Sequence, residues 1–331
     1  MFLRPLTSRL APAIVGLGLT LVFAAGCPRQ IPPPDVQIDA SEAQVAKGQY
    51  LASTMGCIAC HSQRDWSLYG GPFKEGTAFA GGGDVGVEEG MGPKFRMHAQ
   101  NLTPHHLGDW SDGEIVRATL LGQSKDGSGL FPLMPYFEWR NHVALDDAAA
   151  VVAFLRTLNP IARDTPPSKY PMPSFVVNGF PKMVELRKKA PLPTDPDYGE
   201  YVTYRSGCMA CHTNADKRGR YIGPPFAGGR RFPVPAPGAG YEYAANLTPD
   251  PETGIGQWSR EAFIARFKNS TLGAARQQPV TPGGFNSVMP WWAYAELSEA
   301  DLGSMYDFLR TLPPSRNPVR KYVPPQTDGE R

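Results

Sequence analysis

The sequence has no excess charge of either sign, because its 33 lysine and arginine residues are nearly matched by 31 aspartate and glutamate residues. A chain with a net charge of +2 offers no strongly basic surface, so its charge does not point to nucleic acid as a partner. Cysteine is scarce, at five residues in 331, and the second half of the chain has one histidine. The longest N-terminal apolar run is also shorter than the roughly 20 residues of a membrane-spanning helix.

Proline and glycine, in contrast, are both abundant, at 35 residues each. They favour turns and irregular connections, so we expect much of the chain to be loop. A length of 331 residues accommodates about two domains of roughly 150 residues each.

Residues 1–26 have the pattern of a lipoprotein signal peptide, with Arg4 and Arg9, an apolar stretch, and small residues before Cys27. The sequence Ala-Ala-Gly-Cys resembles a bacterial lipobox, in which the cysteine becomes the lipidated first residue. Residues 27–40 are rich in proline and predict an extended tether. We therefore expect a protein of the bacterial cell envelope, on the periplasmic side and membrane-anchored through lipidated Cys27. An uncleaved signal anchor is the alternative.

The two halves of the chain repeat the same landmarks in the same order, about 150 residues apart. Each half has Cys-x-x-Cys-His, Asn-Leu-Thr-Pro, Trp-Ser, Met-Pro and Phe-Leu-Arg-Thr-Leu. These landmarks begin at residues 57, 101, 110, 134 and 154 in the first half and at residues 208, 246, 258, 289 and 308 in the second. One unit used twice predicts two lobes, at residues 41–160 and 195–316.

Helical patterns dominate both halves, so we expect an all-α fold. Three residue pairs have the spacing of helix capping boxes: Ser41 with Gln44, Ser111 with Glu114, and Asp197 with Glu200. The predicted core-facing residues are Ile115, Val116, Leu120, Leu121, Val151, Val152, Phe154, Leu155, Met305, Phe308 and Leu309. The proline-rich segment 161–194 predicts an extended linker between the lobes, and residues 317–331 form a C-terminal tail.

Cys-x-x-Cys-His is the attachment motif of c-type haem, in which two thiols add to the porphyrin vinyl groups and the histidine becomes an iron ligand. One helical turn brings both thiols to the same face, which explains the spacing. Two covalently attached haem c groups are therefore predicted, at Cys57, Cys60 and His61 and at Cys208, Cys211 and His212.

Other uses of paired cysteines fit the sequence less well. Zinc sites with four cysteines usually place the two pairs about 15 to 20 residues apart, whereas these pairs lie in different lobes. A thioredoxin-like pair requires a strand-helix-strand setting, which neither half predicts. A disulfide across two residues is strained and leaves both histidines unexplained.

The second axial ligand of the second lobe follows by elimination. His212 is the single histidine of this lobe, and Met209 lies inside the attachment motif. Met305 lies in the closing helix, which leaves Met289. The first lobe has more alternatives: Met55, Met91, Met97, His98, His105, His106 and His142. Met134 is preferred there because it alone matches Met289 in the repeat, and both precede a proline that favours an extended, loop-presented methionine.

Neighbours of the haems are also predicted. A ligating histidine usually donates its other ring N–H to a carbonyl, and the pairs Pro72-Phe73 and Pro225-Phe226 are candidates to supply that carbonyl. Trp110 and Trp258 are predicted either to line the haem crevice or to be ordinary core residues at a helix start.

The succession of landmarks, with Pro-Phe-Ala-Gly-Gly at 225–229 and Asn-Leu-Thr-Pro-Asp-Pro-Glu-Thr-Gly at 246–254, resembles class I cytochrome c domains. It is similar to the multihaem cytochrome c subunits of bacterial membrane-bound alcohol and gluconate dehydrogenases. The resemblance implies small helical haem-enclosing lobes, ligation by histidine and methionine, and relay of electrons from a dehydrogenase toward quinone or an oxidase. Those subunits usually carry three haems, and this sequence has two attachment motifs.

The function expected from these features is single-electron transfer between a respiratory donor and an acceptor, without a catalytic residue. The donor is expected to be a dehydrogenase or a quinol-oxidising complex, and the acceptor another cytochrome or an oxidase. A dihaem peroxidase is the alternative, which requires one iron with an open position and an acid–base residue beside it. The matching methionines argue against this alternative, and the extra histidines of the first lobe keep it open.

Overall fold

The computed structural model describes residues 30–216, 219–235, 240–281 and 283–324. The helices within these ranges are α1 (Glu42–Thr54), α2 (Cys57–Cys60), α3 (Val85–Glu88), α4 (Pro104–Leu107), α5 (Asp112–Leu121), α6 (Tyr136–His142), α7 (Leu145–Thr157), α8 (Ser174–Val177), α9 (Tyr198–Arg205), α10 (Cys208–His212), α11 (Arg260–Lys268), α12 (Leu272–Arg276), α13 (Trp291–Tyr294) and α14 (Glu299–Thr311). None of these described helices has the length and apolar character that crossing a membrane requires. The predicted signal peptide and Cys27 lie outside the described residues.

One of the three predicted capping boxes forms in full and one forms in half, since the Ser41 N–H donates to Asp39 Oδ1 and not to Gln44. The Ser41 hydroxyl accepts the Gln44 N–H at the start of α1, and Ser111 and Glu114 make both bonds of a capping box at the start of α5. The prediction for Asp197 is wrong. Its backbone ψ of 2° is not the extended conformation that a capping side chain needs, and its carboxylate instead pairs with Arg187 Nη2 at 2.9 Å.

The first and last helices of each repeat cross at a glycine. We refer to residues 41–160 as the first repeat and to 195–316 as the second. A Cβ atom on Gly48 of α1 would lie 1.8 Å from the Ala150 carbonyl oxygen of α7. A Cβ atom on Gly199 of α9 would lie 2.1 Å from the Ser304 carbonyl oxygen of α14. Since no side chain fits at either crossing, glycine lets the two backbones meet directly.

Each repeat has its own cluster of buried apolar side chains around these crossings. The predicted stripes are buried, with Val116 and Leu120 fully inaccessible in the first repeat and Met305 and Leu309 each 1% exposed in the second. Phe308 is half-buried and packs against the second cluster. Burying one such side chain contributes roughly 1.5–3 kcal/mol, so these stripes hold the helices in place.

A small antiparallel sheet departs from the all-α expectation. Its strands are β1 (Arg231–Pro233), β2 (Tyr241–Tyr243) and β3 (Tyr322–Val323), in that order. Phe232 pairs with Glu242 and is buried, whereas its strand neighbour Arg231 is exposed. Strands of two or three residues are too short to produce a recognisable alternation in the sequence, which is why the sheet was not predicted.

The proline-rich segments are packed against the first repeat. The described part of the predicted tether is extended, but Ile31 is only 7% exposed. Its N–H donates to Gln123 Oε1 at 2.7 Å, and its carbonyl accepts from Arg117 Nη1 at 2.9 Å. Segment 161–194 contains α8 and follows the same repeat, with Val177 buried. The predicted tether from Ile31 onward therefore packs against the first repeat and does not extend away from it.

Part of the second repeat also packs on the first. Asn286 donates its side-chain N–H groups to the carbonyls of Trp66 and Leu68 and accepts the Gly70 N–H at 2.8 Å. Trp292 then donates its indole N–H to the Gly70 carbonyl at 3.0 Å. In addition, the short helix after each Met-Pro pair packs on the first helix of the other repeat, α6 on α9 and α13 on α1.

A buried ionic network completes the junction. Arg205 of α9 lies 3.0 Å from Asp301 of its own repeat and 3.7 Å from Asp147 of the first repeat. Burial alone would lower the pKa of Arg205, but these two carboxylates raise it above its usual value. The Tyr201 hydroxyl donates to Asp147 at 2.6 Å, and the Tyr198 hydroxyl donates to Asp301 at 2.6 Å. The buried charges are thus paired and hydrogen-bonded across the junction.

Substitution of Gly48 tests the helix crossing. Gly48→Ala should lower the free energy of unfolding by about 1–3 kcal/mol, because the added methyl group forces α1 away from α7. This loss opposes the gain of about 0.5–1 kcal/mol that alanine brings within a helix. Gly273→Ala in α12 is the matched control: a Cβ there approaches nothing closer than 4.0 Å, so the change should be neutral or stabilising. Denaturant unfolding of both variants measures the difference, and equal stabilities would contradict the crossing.

Candidate haem sites

A cavity of about 1610 Å³ extends into both repeats. Both attachment motifs line it, through Cys57, Cys60 and His61 and through Cys208, Cys211 and His212. Its remaining walls are largely apolar and aromatic. The six residues that the two motifs predict as haem contacts therefore share one continuous space.

A left-handed glycine precedes each attachment motif. Gly56 has φ 79° and Gly207 has φ 69°, a conformation that costs glycine little. It ends the preceding helix and starts a one-turn helix, α2 or α10, on which the two cysteines are three residues apart and share a face. The four cysteines of α2 and α10 are free thiols. The local fold thus presents each thiol pair to the cavity.

Burial raises the pKa of all four thiols to about 12. Redox-active Cys-x-x-Cys pairs depend on a lowered thiol pKa, and the shift at these four cysteines has the opposite direction.

Each motif histidine is oriented by a backbone carbonyl. His61 Nδ1 donates to the Gln100 carbonyl at 2.6 Å, and His212 Nδ1 donates to the Ala245 carbonyl at 2.8 Å. Burial lowers the pKa of both imidazoles, which favours the neutral form. With Nδ1 as the donor, Nε2 has a free lone pair that can ligate a metal.

The prediction that Pro72-Phe73 or Pro225-Phe226 supplies this carbonyl is wrong. Gln100 and Ala245 each come directly before the repeated Asn-Leu-Thr-Pro. The Phe73 ring packs against Trp292 instead, with ring centroids 5.5 Å apart.

The repeated asparagine fixes the loop that carries each carbonyl. Asn101 accepts the Thr103 N–H at 2.9 Å and donates to the Ile161 carbonyl beyond α7. Asn246 likewise accepts the Thr248 N–H at 2.9 Å and donates to the Ser315 carbonyl beyond α14. Each asparagine therefore ties the carbonyl-bearing loop to the chain that follows the closing helix.

A second repeated element, Phe-Ala-Gly-Gly, was also missed from the sequence. It begins at Phe79 and Phe226, which are the two described non-glycine residues with positive φ, at 60° and 61°. The Phe79 N–H donates to Ser62 Oγ, and the Phe226 N–H donates to Thr213 Oγ1, both at 3.0 Å. Phe226 thus corresponds to Phe79, whereas the Pro-Phe pairs of the sequence predict Phe73 as its counterpart.

Met134 and Met289 occupy equivalent positions on the cavity wall. The carbonyl of each accepts a bond of 2.8 Å from the N–H two residues later, in Tyr136 and Trp291. The following proline comes directly before α6 or α13. The structure therefore places both methionines in the same turn at the same point of each repeat.

The structure also separates the alternative ligands. Met55, Met91, Met97, His98 and His106 of the first repeat line the cavity, as does Met305 of the second. His105 instead lies 3.6 Å from Asp164, and His142 stacks on Tyr204 at a centroid distance of 3.9 Å. Trp110 and Trp258 both line the cavity.

These residues suit a covalently held haem in each repeat. Each motif offers two thiols on one helical face and a histidine with Nε2 free. The cavity provides thioether sulfur atoms and aromatic walls, which match a haem iron held by nitrogen and sulfur ligands. Both motifs open into the same cavity, so the two sites adjoin.

No protein-family model matches the chain. It is 28% identical to the cytochrome c subunit of a quinone-dependent alcohol dehydrogenase from Gluconacetobacter polyoxogenes, over 83% of this chain and 57% of the relative. It is 23% identical to the cytochrome subunit of fructose dehydrogenase from Gluconobacter japonicus, over 94% of this chain and 60% of the relative. The cytochrome c subunit of gluconate 2-dehydrogenase from Pantoea cypripedii is 27% identical, over 82% of this chain and 60% of the relative.

The chain is thus similar to cytochrome subunits of dehydrogenases and spans about three fifths of their length. This similarity implies covalently bound haem c and supports electron transfer. It does not favour the peroxidase alternative, since none of these three relatives is named as a peroxidase.

Proposed function

From this similarity to electron-transferring subunits, we propose that the protein is a dihaem c-type cytochrome that relays single electrons between a respiratory donor and an acceptor. The observation that carries the proposal is that both Cys-x-x-Cys-His motifs open into one cavity, each with its histidine oriented by a carbonyl. Each repeat is then a cytochrome c lobe, and segment 161–194 is the linker between the lobes.

The proposed residue roles combine the repeated sequence motifs with the positions of these residues on the cavity wall. Cys57, Cys60, Cys208 and Cys211 hold the two haems by thioether bonds. His61 and His212 are the proximal ligands, and Met134 and Met289 are the distal ligands. Haem iron supplies a one-electron couple when bound. The apolar walls exclude water, and a thioether ligand favours ferrous over ferric iron.

The proposed donor is a dehydrogenase or a quinol-oxidising complex, and the proposed acceptor is another cytochrome or an oxidase. A dehydrogenase is supported by the relatives, which are named as subunits of alcohol, fructose and gluconate dehydrogenases. No step of catalysis on an organic substrate is assigned to this chain.

We place the protein in the bacterial cell envelope, at the periplasmic side of a membrane. The support is the sequence alone: a signal-peptide pattern at 1–26 and a lipobox-like stretch that ends at Cys27. A lipid anchor would hold the protein near membrane-bound redox partners.

Substitution of Met289 tests the proposed ligation. Met289→His should lower the potential of one haem, because imidazole favours ferric iron more than a thioether does. Axial ligands set haem potentials over a range of about 0.8 V, so we expect a shift on the order of 0.1–0.3 V. Met289→Ala should instead allow one haem to bind carbon monoxide. Spectroelectrochemical titration and the near-infrared band of methionine-bound ferric iron measure these effects.

The matched control is Met183→His, because Met183 is 59% exposed and lies away from the cavity lining. It should leave both potentials unchanged. Wild-type potentials in both Met289 variants would show that Met289 is not a ligand and would favour Met305, which also lines the cavity. Rapid hydrogen peroxide turnover by the wild-type protein would support the peroxidase alternative instead.

Substitution of Cys27 tests the anchor. Wild-type protein from cells grown with a labelled fatty acid should carry the label, whereas the Cys27→Ser protein should not. Cys27→Ser should retain its haems because the lobes are separate in sequence from the anchor. With the signal replaced by one that general signal peptidase removes, the variant should leave the membrane fraction. Retention of this processed variant after a high-salt wash would contradict lipid anchoring.

A further inference from the structure

The phenol of Tyr294 lies beside the chain that precedes each attachment helix. Its hydroxyl donates to the Ser206 carbonyl at 2.9 Å, two residues before Cys208. A Cβ atom on Gly56, the residue directly before Cys57, would lie 3.7 Å from the same hydroxyl oxygen. Tyr294 belongs to the second repeat and Gly56 to the first. One side chain therefore hydrogen-bonds to the chain before α10 and lies close to the residue before α2.

Trp139 occupies the matching place in the first repeat, five residues after Met134, as Tyr294 follows Met289. Its indole N–H donates to the Arg205 carbonyl at 3.1 Å. Trp139 is 3% exposed, and its partner belongs to the other repeat. The two aromatic side chains, one from each repeat, thus donate to the adjacent carbonyls of Arg205 and Ser206.

The two motifs also approach each other at their second cysteines. Glu89 of the first repeat lies 3.7 Å from Arg230 of the second, and Arg230 donates to the Ala210 carbonyl inside the second motif. Glu138 of the first repeat accepts the Tyr221 hydroxyl of the second. Polar contacts therefore join the repeats beside the attachment helices.

Both aromatic residues line the cavity, although neither is an attachment or ligand residue. Each lies on the short helix that follows a Met-Pro pair and packs on the first helix of the other repeat. A shift of either short helix would therefore change the distance between α2 and α10. Trp139 and Tyr294 therefore link the distance between the two attachment helices to the position of each Met-Pro turn.

We propose that Trp139 and Tyr294 are positioning residues that hold the two attachment helices side by side, so that electrons pass directly between the two haems across this junction. The inference rests on the proposed dihaem function. The exchange moves one electron from ferrous iron in one repeat to ferric iron in the other. No bond forms or breaks, and no other reactant is needed.

The experiment compares Tyr294→Ala, Tyr294→Phe and wild type. Tyr294→Phe keeps the ring and loses one hydrogen bond, whereas Tyr294→Ala also removes the ring from beside both attachment helices. The matched control is Tyr136→Phe, since Tyr136 is also buried and donates its hydroxyl to a backbone carbonyl, that of Leu130 at 2.8 Å, but lies outside the cavity lining. The readout is the intramolecular exchange rate, from the line widths of haem-methyl proton resonances in half-reduced samples.

Tyr294→Ala should lower the exchange rate by about tenfold or more, since small misplacements of reacting groups cost up to about 10²-fold. Its two haems should keep their near-infrared methionine bands. Tyr294→Phe should stay within about threefold of wild type, and Tyr136→Phe should equal it. A wild-type exchange rate in Tyr294→Ala would overturn the proposal.

Trp139→Phe provides a second test if Tyr294→Ala does not fold. It removes the indole bond to Arg205 and keeps an aromatic ring, so the exchange rate should fall by several-fold while the haem content stays at two. An unchanged rate in Trp139→Phe would then overturn the proposal. Wild-type protein without two covalent haems would overturn the proposed function instead, and haem content by mass separates these failures.

Discussion

The hydrogen bond from each motif histidine to a backbone carbonyl is the constraint on which both sites depend. A carbonyl can only accept, so the bonds to Gln100 and Ala245 fix Nδ1 as the donor and free Nε2 for a metal. The carbonyls stay in place because Asn101 and Asn246 tie their loops to the chain beyond the closing helices. Those helices are in turn held by the glycine crossings. The orientation of each histidine therefore depends on the position of the carbonyl loop, and the position of that loop depends on helix packing.

The fixed spacing of Cys-x-x-Cys-His let the sequence predict the candidate attachment residues of each site. The repeated Met-Pro predicts Met134 and Met289 as ligands, and the structure places both in the same turn. The carbonyl acceptors were not predictable, because any residue can supply a backbone carbonyl. The sequence contains the correspondence of Phe79 with Phe226 as a shared Phe-Ala-Gly-Gly. The Pro-Phe pairs suggest a different match, of Phe73 with Phe226. The predicted cap at Asp197 does not form, and the Asp197 carboxylate instead pairs with Arg187, which the local sequence pattern does not indicate.

Contacts between the repeats could not be predicted either, because a shared sequence pattern does not show which side chains face the other repeat. Asp147 and Asp301 hold matching positions in the two repeats, and they accept hydrogen bonds from Tyr201 and Tyr50, which also match. Arg205 pairs with Asp147 across the junction, and Asn286 binds the loop of Trp66 and Leu68. Trp292, Ala293 and Ala275 of the second repeat join the apolar cluster of the first. The first repeat is therefore completed by the second. This dependence gives the two attachment motifs a fixed relation, which the proposed relay between two haems would require.

The central claim is that both motifs carry covalent haem, and the intact mass of the denatured, acid-extracted protein tests it most directly. The account predicts the mass of the chain plus two haem groups. It also predicts the loss of one haem in Cys57→Ala/Cys60→Ala and of the other in Cys208→Ala/Cys211→Ala. A wild-type chain that carries no haem, or a single haem, after denaturation would contradict it.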